Sequence, residues 1–513
     1  MEPQLTASAR LRLLAGLPDR PKHGTVGARE LAVADESNLY LVGGAVRDLI
    51  SGMPIRDLDF TVEGNPSRIV RALEKGGTRV VSENESLRHA ELVLTGDVDV
   101  SIAAAREDVY ARPGTRPDIR FSTIMEDLKR RDFSINAIAI SLNPNSRGLL
   151  LDPTNGLADL ERREIRVLSI HSFTNQPARL LRALRYAARM GFEMNARTAE
   201  WFKLAMERGL HSTILPEDAG SEFRQVTREE KPAAVLKAWE SWSLLSALHP
   251  QLAKRHPDYE AINRITRVRD DMWSAGFRPR LFAPVAFAVL GRLKPRERSV
   301  ALTRMGLRAA EIHLVDELES DARKIVKILA GPKTASPRDA YAFLEKTRLD
   351  LLAYILAESS NSKAVAKIRN YLHKWKPLRQ ALPNVAGELE ALGLEHGPKF
   401  DKVLEDFFQA QLLGKARKPE AHAKVLRKLA GIKELPKKVE EKKKPEKPKK
   451  KGDARNTEGA SGQGSAPPKG TAPAHPASSG KGQARKSKPV HVREKTASKG
   501  HEKPKPHGKK KIR

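Results

Sequence analysis

The pattern of apolar residues changes once along this chain, and that change limits the possible fold more than any other feature. From Leu39 to Leu151 the apolar residues form short β-branched runs separated by Gly, Pro and Asp, such as LYLVGG, RVVSEN and ELVLTG. Such runs are typical of strands. After Leu151 long amphipathic segments follow, such as ARLLRALRYAARM and FDKVLEDFFQAQLL, and these are typical of helices. The sequence therefore predicts an α+β protein in which a mixed sheet with a few helices precedes an all-α part.

Five regions are predicted along the 513 residues. Residues 1–36 form an N-terminal extension, residues 37–151 the sheet-containing head, and residues 152–250 and 251–435 two successive helical regions. Residues 436–513 are rich in Lys, Pro, Gly and Ser and contain almost no large apolar side chains. They cannot bury enough surface to offset the entropy of ordering, so we expect a disordered basic tail.

Charge and composition narrow the class of protein. The formal net charge is +30, and residues 436–513 alone carry 24 Lys and Arg against 7 Asp and Glu. A polyanionic partner is favoured, because phosphates that are neutralised release counterions; a basic protein without such a partner is the alternative. The tail is interpreted as an RNA tether, with a solubility tail as its alternative. Cysteine is absent, which excludes disulfides, thiolate zinc sites and a cysteine nucleophile.

No membrane segment is predicted. The N-terminal residues have arginines scattered among the apolar ones and so lack the uninterrupted apolar core of a signal peptide. The most apolar stretch, residues 281–290, is half the length needed to cross a bilayer. We therefore expect a cytoplasmic protein.

The first segment that can carry chemistry is LYLVGGAVRDLISGMPIRDLDFTV, residues 39–62. It predicts a strand, a glycine turn, a short helix and a second strand. Glycines without a β-carbon let backbone amides approach an oxyanion, and the start of the helix favours negative charge at the same place. Gly43 and Gly44 are thus a candidate triphosphate site with Arg47 as counter-charge, although a Gly-Gly pair alone is more often a simple tight turn.

The second strand of this segment carries Asp57 and Asp59. Alternation along a strand sends both carboxylates to one face, and Leu58 and Phe60 to the other. Two hard oxygen ligands side by side suit magnesium, and two ions about 3.5–4 Å apart can activate an attacking hydroxyl and stabilise a leaving pyrophosphate. Asp99, on another alternating strand, is a possible third carboxylate or else an exposed charge on an edge strand.

Two later segments supply basic residues. In EDLKRRDFSINAIAISL, residues 126–142, Arg131 and Asp132 are predicted just before an apolar helix, where an anionic ligand would offset the positive charge; alternatively Arg130 and Arg131 pair with Asp132 and Glu126. In FTNQPARLLRALRYAARMGF, residues 173–192, Asn175 is predicted as the N-cap of a helix that ends at Gly191. That helix presents a stripe of arginines suited to phosphates or base edges, or simply to solvent: Arg179, Arg182 and Arg185.

In this order and spacing, LVGGAVRD with DLDF, RRDFSINA, LLDPTNGLADLERREIRVL and PARLLRALRYAARMGF resemble the class II tRNA nucleotidyltransferases (CCA-adding enzymes) and bacterial poly(A) polymerases over about residues 38–195. The resemblance implies a head of the DNA polymerase β type, followed by a helical neck and body that bind RNA, most plausibly a tRNA 3′ end. It also implies transfer of CMP and AMP from CTP and ATP without a nucleic-acid template, using two Mg²⁺ ions.

Residue by residue, the resemblance assigns the metals to Asp57 and Asp59. The nucleotide-binding residues that it implies, together with the turn and the stripe above, are Gly43, Gly44, Arg47, Arg131, Asp132, Gln176, Arg179, Arg182 and Arg185. Some relatives carry a His-Asp phosphohydrolase centre in the helical half, and no such pair is found in APVAFAVLGRL. Addition of only CC, only A or a poly(A) tail remains an alternative, as does a catalytically weak RNA-binding protein that keeps the fold.

One departure from the family concerns the base. The family has an acidic residue immediately before the proline of the neck helix, and this chain has Gln176 there, with Arg179 retained. A carboxylate accepts a hydrogen bond from the amine of C or A but cannot donate one to the carbonyl oxygen of U or G. Glutamine can do both. We therefore expect weaker discrimination against UTP and GTP, or an altered choice of nucleotide.

Overall fold

The computed structural model describes residues 37–53, 55–94, 98–112 and 117–432. The expected N-terminal extension and disordered tail lie outside these residues, and the domain limits remain predictions. The strands are β1 (Asn38–Val42), β2 (Asp57–Glu63), β3 (Arg79–Asn84), β4 (His89–Leu94), β5 (Val98–Ala104), β6 (Arg106–Val109), β7 (Asp118–Phe121), β8 (Ala139–Ser141), β9 (Leu150–Leu151), β10 (Glu164–Ile165) and β11 (Glu193–Met194).

The main sheet has seven strands in the order β3-β4-β5-β2-β1-β8-β9. Strands β1 and β2 are antiparallel, whereas β2 and β5 are parallel, so the sheet is mixed as predicted. In β2 the alternation holds, since Leu58 and Phe60 are buried while Asp57 and Asp59 keep some access to solvent. Because β5 lies between β4 and β2, Asp99 is on an inner strand and not on an edge.

The head contains short helices, and the rest of the described chain is almost entirely helical, which confirms the predicted α+β class. The helices are α1 (Gly44–Ile50), α2 (Ser67–Lys75), α3 (Ile124–Lys129), α4 (Gly156–Arg162), α5 (Ser172–Asn175), α6 (Arg179–Met190), α7 (Ala196–Glu207), α8 (Pro216–Arg228), α9 (Pro232–Ser241), α10 (Tyr259–Ser274), α11 (Phe282–Leu290), α12 (Pro295–Arg304), α13 (Ala309–Asp316), α14 (Leu318–Ala330), α15 (Pro337–Glu345), α16 (Leu349–Glu358), α17 (Ser362–Asn370), α18 (Lys376–Gln380), α19 (Leu382–Ala391), α20 (Pro398–Leu412) and α21 (Pro419–Ala430).

Two local predictions are wrong. The segment after Asp132 forms one 3-10 turn and then strand β8, not a helix, and β8 pairs with β1. Its isoleucines favour a strand because β-branched side chains fit a pleated, buried sheet. In the neck, Asn175 is not an N-cap but the last residue of α5, and α6 begins only at Arg179. The end of α6 is as predicted, since Gly191 takes the left-handed conformation with φ 64°.

One buried apolar cluster extends from the sheet into the helices, from Leu41 in β1 to Ala430 at the end of α21. Trp239 of α9 is completely buried within it, and its indole Nε1 donates to the carbonyl oxygen of Leu181 in α6 over 2.9 Å. Helix α11, which contains most of the apolar stretch at residues 281–290, is part of this core. Among the described residues, no helix combines the length and apolar character that a membrane span requires.

Candidate active site

The glycine turn brings the start of α1 against the carboxylates of β2. Gly43 has φ 66° and ψ −133°, a conformation that strongly favours glycine, and it lies between β1 and α1. A β-carbon built on Gly43 would lie 3.4 Å from Oδ2 of Asp59 and 3.1 Å from Nη1 of Arg131. The predicted turn, helix and second strand are therefore present, and Asp59 points toward the turn.

Asp57 and Asp59 share the partly exposed face of β2, as the alternation predicted. Oδ1 of Asp59 accepts a hydrogen bond of 2.6 Å from Oγ of Ser101 on the parallel neighbour β5. Protein groups surround the Asp59 carboxyl although it retains some solvent access, and this burial, together with the negative charge of Asp57, raises its pKa. Two adjacent carboxylates that repel each other are the environment that a divalent cation stabilises.

Asp99 lies opposite Asp57 in the β2–β5 register. Its Oδ2 accepts a hydrogen bond of 2.8 Å from Nη2 of Arg228, and Nη1 of the same arginine is 3.8 Å from Oδ2 of Asp57. Among the described residues, no group of three or more acidic or histidine side chains is placed to hold one metal ion. A role for Asp99 as a third metal ligand thus stays a prediction.

Arg131 lies at the back of the turn. It was expected at the start of a helix, beside an anionic ligand, and it does not lie there. It follows the C-terminal end of α3, where positive charge is favourable, so no anion is needed to offset a helix dipole. Its Nη2 donates to Oδ2 of Asp127 over 2.8 Å and lies 3.3 Å from Oγ1 of Thr61. Asp127 also binds Arg130, over 2.6 Å. The arginines do pair with acids, but not with the expected Asp132 and Glu126: both bind Asp127, and Arg130 also binds Asp108.

Arg47 is placed in the interior. It is 1% exposed, its Nε donates to Oδ1 of Asp48 over 2.8 Å, and its Nη1 donates to Oδ1 of Asn136 over 2.6 Å. Its guanidinium also lies over the ring of Tyr186, 4.9 Å from the centroid. A β-carbon on Gly44 would be 3.5 Å from Nη2 of Arg47. Arg47 therefore packs against the turn from the protein interior, and its contact with a triphosphate stays a prediction.

Asp132 joins the head to the neck helix. Its Oδ1 accepts from Nδ2 of Asn136 over 3.1 Å, and its Oδ2 accepts from Nη1 of Arg182 over 2.8 Å. Burial acts to raise the pKa of Asp132, but Arg182 and Arg179 outweigh it and hold the pKa well below its usual range. The carboxylate is thus charged at neutral pH and fixes Arg182 beside the head.

Two arginines of the stripe on α6, Arg182 and Arg185, bind acidic partners. Glu222 of α8 is buried and accepts from Nε of Arg182 over 2.6 Å and from Nε of Arg185 over 3.0 Å. Arg185 is buried as well, and its Nη1 donates to Oε1 of Glu229 over 3.0 Å. Arg185 therefore holds α6 to α8, whereas Arg182 keeps some access to solvent.

Arg179 and Gln176 lie at the entrance of the neck. Nη1 of Arg179 donates to Oγ of Ser172 over 2.8 Å, whereas its Nε is buried without an acceptor among the described residues. Gln176 lies beside the phenol of Tyr110. Burial raises the pKa of Tyr110, and neighbouring groups, Gln176 among them, only partly oppose this. A buried donor without a protein partner is suited to bind a polar group of a ligand.

Several residues of the site were missed from the sequence. Ser101 could have been found, because it lies two positions after Asp99 on the same face of an alternating strand. Glu222, Arg228 and Glu229 could not, because their partners are 37 or more positions away in the chain. Nothing local distinguishes them from exposed charges on a helix.

A mixed sheet that presents two aspartates beside a glycine turn, joined to a helix with inward arginines, defines a nucleotidyltransferase. Residues 39–166 match the family model described as the poly A polymerase head domain. The chain is 30% identical over 380 residues to an A-adding tRNA nucleotidyltransferase of Halalkalibacterium halodurans, an alignment that covers 73% of this chain and 84% of that protein. The chain therefore belongs to the tRNA nucleotidyltransferase and poly(A) polymerase family.

Two further relatives cover different shares of their own length. An A-adding tRNA nucleotidyltransferase of Geobacter sulfurreducens is 26% identical over 408 residues, which are 78% of this chain but 46% of that protein. A CC-adding tRNA nucleotidyltransferase of Deinococcus radiodurans is 32% identical over 283 residues, which are 53% of this chain and 71% of that protein. This chain thus spans about half of the first relative and over two thirds of the second.

Proposed function

We propose that this protein adds nucleotides from ATP and CTP to the 3′ end of tRNA, without a nucleic-acid template. The observation that carries the proposal is the position of Asp57 and Asp59 on one face of β2, with Asp59 directed to the turn at Gly43. The relatives named above are nucleotidyltransferases that act on tRNA. The basic character of the chain, with a net charge of +30, suits an RNA substrate.

The carboxylate pair fits two Mg²⁺ ions. Asp57 and Asp59 supply hard oxygen ligands. Burial and the negative charge of Asp57 raise the pKa of Asp59, and cations would relieve the repulsion between the two carboxylates. Asp57 and Asp59 would hold the ions, which would supply activation of the RNA 3′ hydroxyl and stabilisation of the leaving pyrophosphate. The protein's own contribution is to position the reacting groups and neutralise their charge, so no covalent enzyme intermediate is needed.

The turn and the neck would hold the nucleotide. Because Gly43 has no β-carbon, the backbone of the turn can approach a phosphate group closely beside Asp59, with the cationic Arg131 at the back of the turn. Arg182, fixed by Asp132, and Arg179, with its free Nε–H, supply donors on the neck side. Gln176 stands where the family has an acid and would accept from or donate to the Watson–Crick edge of the incoming base.

Addition of the terminal A alone is the second candidate. Two of the relatives named above carry that activity in their names. The two candidates use the same carboxylates and differ only in the RNA end that they accept and in the nucleotide that they select.

The test uses tRNA transcripts that end before the CCA, after the first C, and after both Cs. Each is incubated with Mg²⁺ and labelled ATP or CTP, and the products are resolved by length. We expect incorporation that depends on Mg²⁺ and is abolished by Asp57→Ala. Addition of both nucleotides to the shortest transcript supports full CCA addition, and labelling of only the CC-ended transcript by ATP supports the second candidate. Retained transfer by Asp57→Ala would refute the mechanism.

A further inference from the structure

Two consecutive residues at the end of helix α8 form ion pairs with two consecutive residues at the start of β2. Arg228 pairs with Asp57, and Glu229 pairs with Arg56. Glu229 is buried and lies 2.8 Å from Nη1 of Arg56, while Arg228 reaches Asp57 and Asp99 on the other side. Glu229 also binds Arg185. Glu229 therefore anchors the end of α8 to the sheet, and this anchoring does not require Arg228.

Arg228 differs from Glu229 in its exposure and in how it is held. Its side chain is 39% exposed, with a contact of 2.8 Å to Asp99 and a longer one of 3.8 Å to Asp57. A half-exposed ion pair contributes little to stability. A guanidinium has five N–H donors, and one carboxylate uses at most two of them. Most of the hydrogen-bonding capacity of Arg228 thus remains at the open edge of the site.

The chemistry of the site calls for a cation at this position. The RNA 3′ hydroxyl must come to Asp57 and Asp59, and the phosphate that links the last two nucleotides lies only one ribose away. That phosphate would otherwise approach three carboxylates, Asp57, Asp59 and Asp99, of which bound Mg²⁺ ions would offset only Asp57 and Asp59. Arg228 lies beside two of them, and Nη2 of Arg280 is 3.6 Å from Oδ1 of Asp99. Like charges at such short range disfavour binding unless a cation intervenes.

We propose that Arg228, held by Asp99, binds the last internucleotide phosphate of the RNA and so positions the 3′ hydroxyl. The inference rests on the proposed function and adds a contact with RNA to it. Asp99 is then the anchor of Arg228 and not a metal ligand. The guanidinium suits this role because its planar fork binds phosphate oxygens in a bidentate way while a third donor stays on Asp99.

The test is an equilibrium binding cycle. A tRNA ending in CC is prepared in two versions with the same 2′-deoxy sugar before the last linkage, one with a normal phosphate there and one with an uncharged methylphosphonate. Binding is measured by fluorescence anisotropy without Mg²⁺ or nucleotide. We expect the wild type to lose about tenfold or more in affinity with the methylphosphonate, as a charge-assisted hydrogen bond is lost. Arg228→Ala should bind both versions equally weakly, and Arg228→Lys should be intermediate.

Controls separate this contact from general charge effects. Arg304→Ala removes an exposed arginine at the end of another helix, α12, and should leave the methylphosphonate effect intact. A methylphosphonate placed in the acceptor stem should weaken wild type and Arg228→Ala alike. For Arg228→Ala the slope of log affinity against log salt should fall by about 0.7, the value for one single-stranded phosphate. An undiminished methylphosphonate effect in Arg228→Ala would overturn the proposal.

Asp99→Asn tests the anchor. If Asp99 only holds Arg228, Mn²⁺ binding measured by electron paramagnetic resonance is unchanged in Asp99→Asn, whereas Asp57→Asn weakens it. Weakened Mn²⁺ binding in Asp99→Asn would make Asp99 a metal ligand and contradict its role as anchor. The proposed function and the role of Arg228 can fail separately. If the wild type transfers nucleotides but shows no methylphosphonate effect, only the role of Arg228 is refuted. If the methylphosphonate effect is seen but no nucleotide is transferred, the proposed function is refuted.

Discussion

Replacement of Glu222 by glutamine tests whether the neck arginines are held by a buried charge. Glu222 is 2% exposed and accepts from Arg182 over 2.6 Å and from Arg185 over 3.0 Å. Burial acts to raise its pKa, but the two arginines outweigh burial and lower it, so the carboxylate is charged at neutral pH. Glu222→Gln keeps the size of the side chain and one acceptor, and removes the charge.

Removal of one partner from a buried ion pair typically lowers the free energy of unfolding by about 3–5 kcal/mol. Both arginines keep a second carboxylate, since Arg182 binds Asp132 over 2.8 Å and Arg185 binds Glu229 over 3.0 Å. We therefore expect a loss at the lower end, about 3 kcal/mol. The substitution also removes one of the two carboxylates that hold Arg182, so the KM for the nucleotide should rise as well.

Urea unfolding followed by circular dichroism at pH 7.5 measures this loss. The matched control is Glu311→Gln, because Glu311 pairs with Arg224 over 3.1 Å but the two side chains are 26% and 32% exposed. A partly exposed pair contributes about 1 kcal/mol or less. Equal losses for Glu222→Gln and Glu311→Gln would refute the view that burial makes the Glu222 pair the more important one.

Three further predictions concern the site itself. Gly43→Ala forces a β-carbon into a backbone conformation with φ 66° and toward Asp59 and Arg131. The strain should lower the free energy of unfolding by about 1–3 kcal/mol. Turnover measured with ATP should fall by more than the smaller folded fraction explains. Gln176→Asp restores a carboxylate that cannot donate, so UTP and GTP incorporation should fall relative to ATP and CTP in single-nucleotide assays, and unchanged ratios would contradict this. An ordinary aspartate has a pKa of about 3.9, and the raised pKa of Asp59 means that its carboxyl binds a proton at a higher pH than that. Because the protonated form cannot bind a cation, the Mn²⁺ affinity measured by calorimetry should decline as the pH falls through the raised pKa. A decline only near pH 4 would count against this prediction.

The part of the site that was predictable follows from local geometry. Alternation in β2 placed Asp57 and Asp59 together, and the need for glycine at a positive φ placed the turn at Gly43, because both effects act within a few residues. The spacing of apolar residues likewise predicted helix α6 and its end at Gly191, although not its start.

The rest depends on partners that are distant in the chain. The segment after Asp132 was predicted as a helix, but it forms a 3-10 turn and then strand β8, and β8 is fixed by its pairing with β1. The neck arginines were predicted to bind the nucleotide. In the structure Arg185 donates hydrogen bonds to Glu222 and Glu229, which are 37 and 44 residues away in the chain. Charge pairing across such distances leaves no periodic signal in the sequence.

The uninterrupted apolar interior also bears on how the molecule can be divided. The match to the head-domain family ends at residue 166, yet the same apolar interior continues through Leu181 and Trp239 to α21. A recombinant fragment limited to the head would expose to water the apolar side chains that the neck normally covers, and exposed patches of that kind promote aggregation. Genetic dissection of this enzyme should therefore rely on point substitutions in the intact chain, since shortened versions would lose solubility before they revealed anything about catalysis.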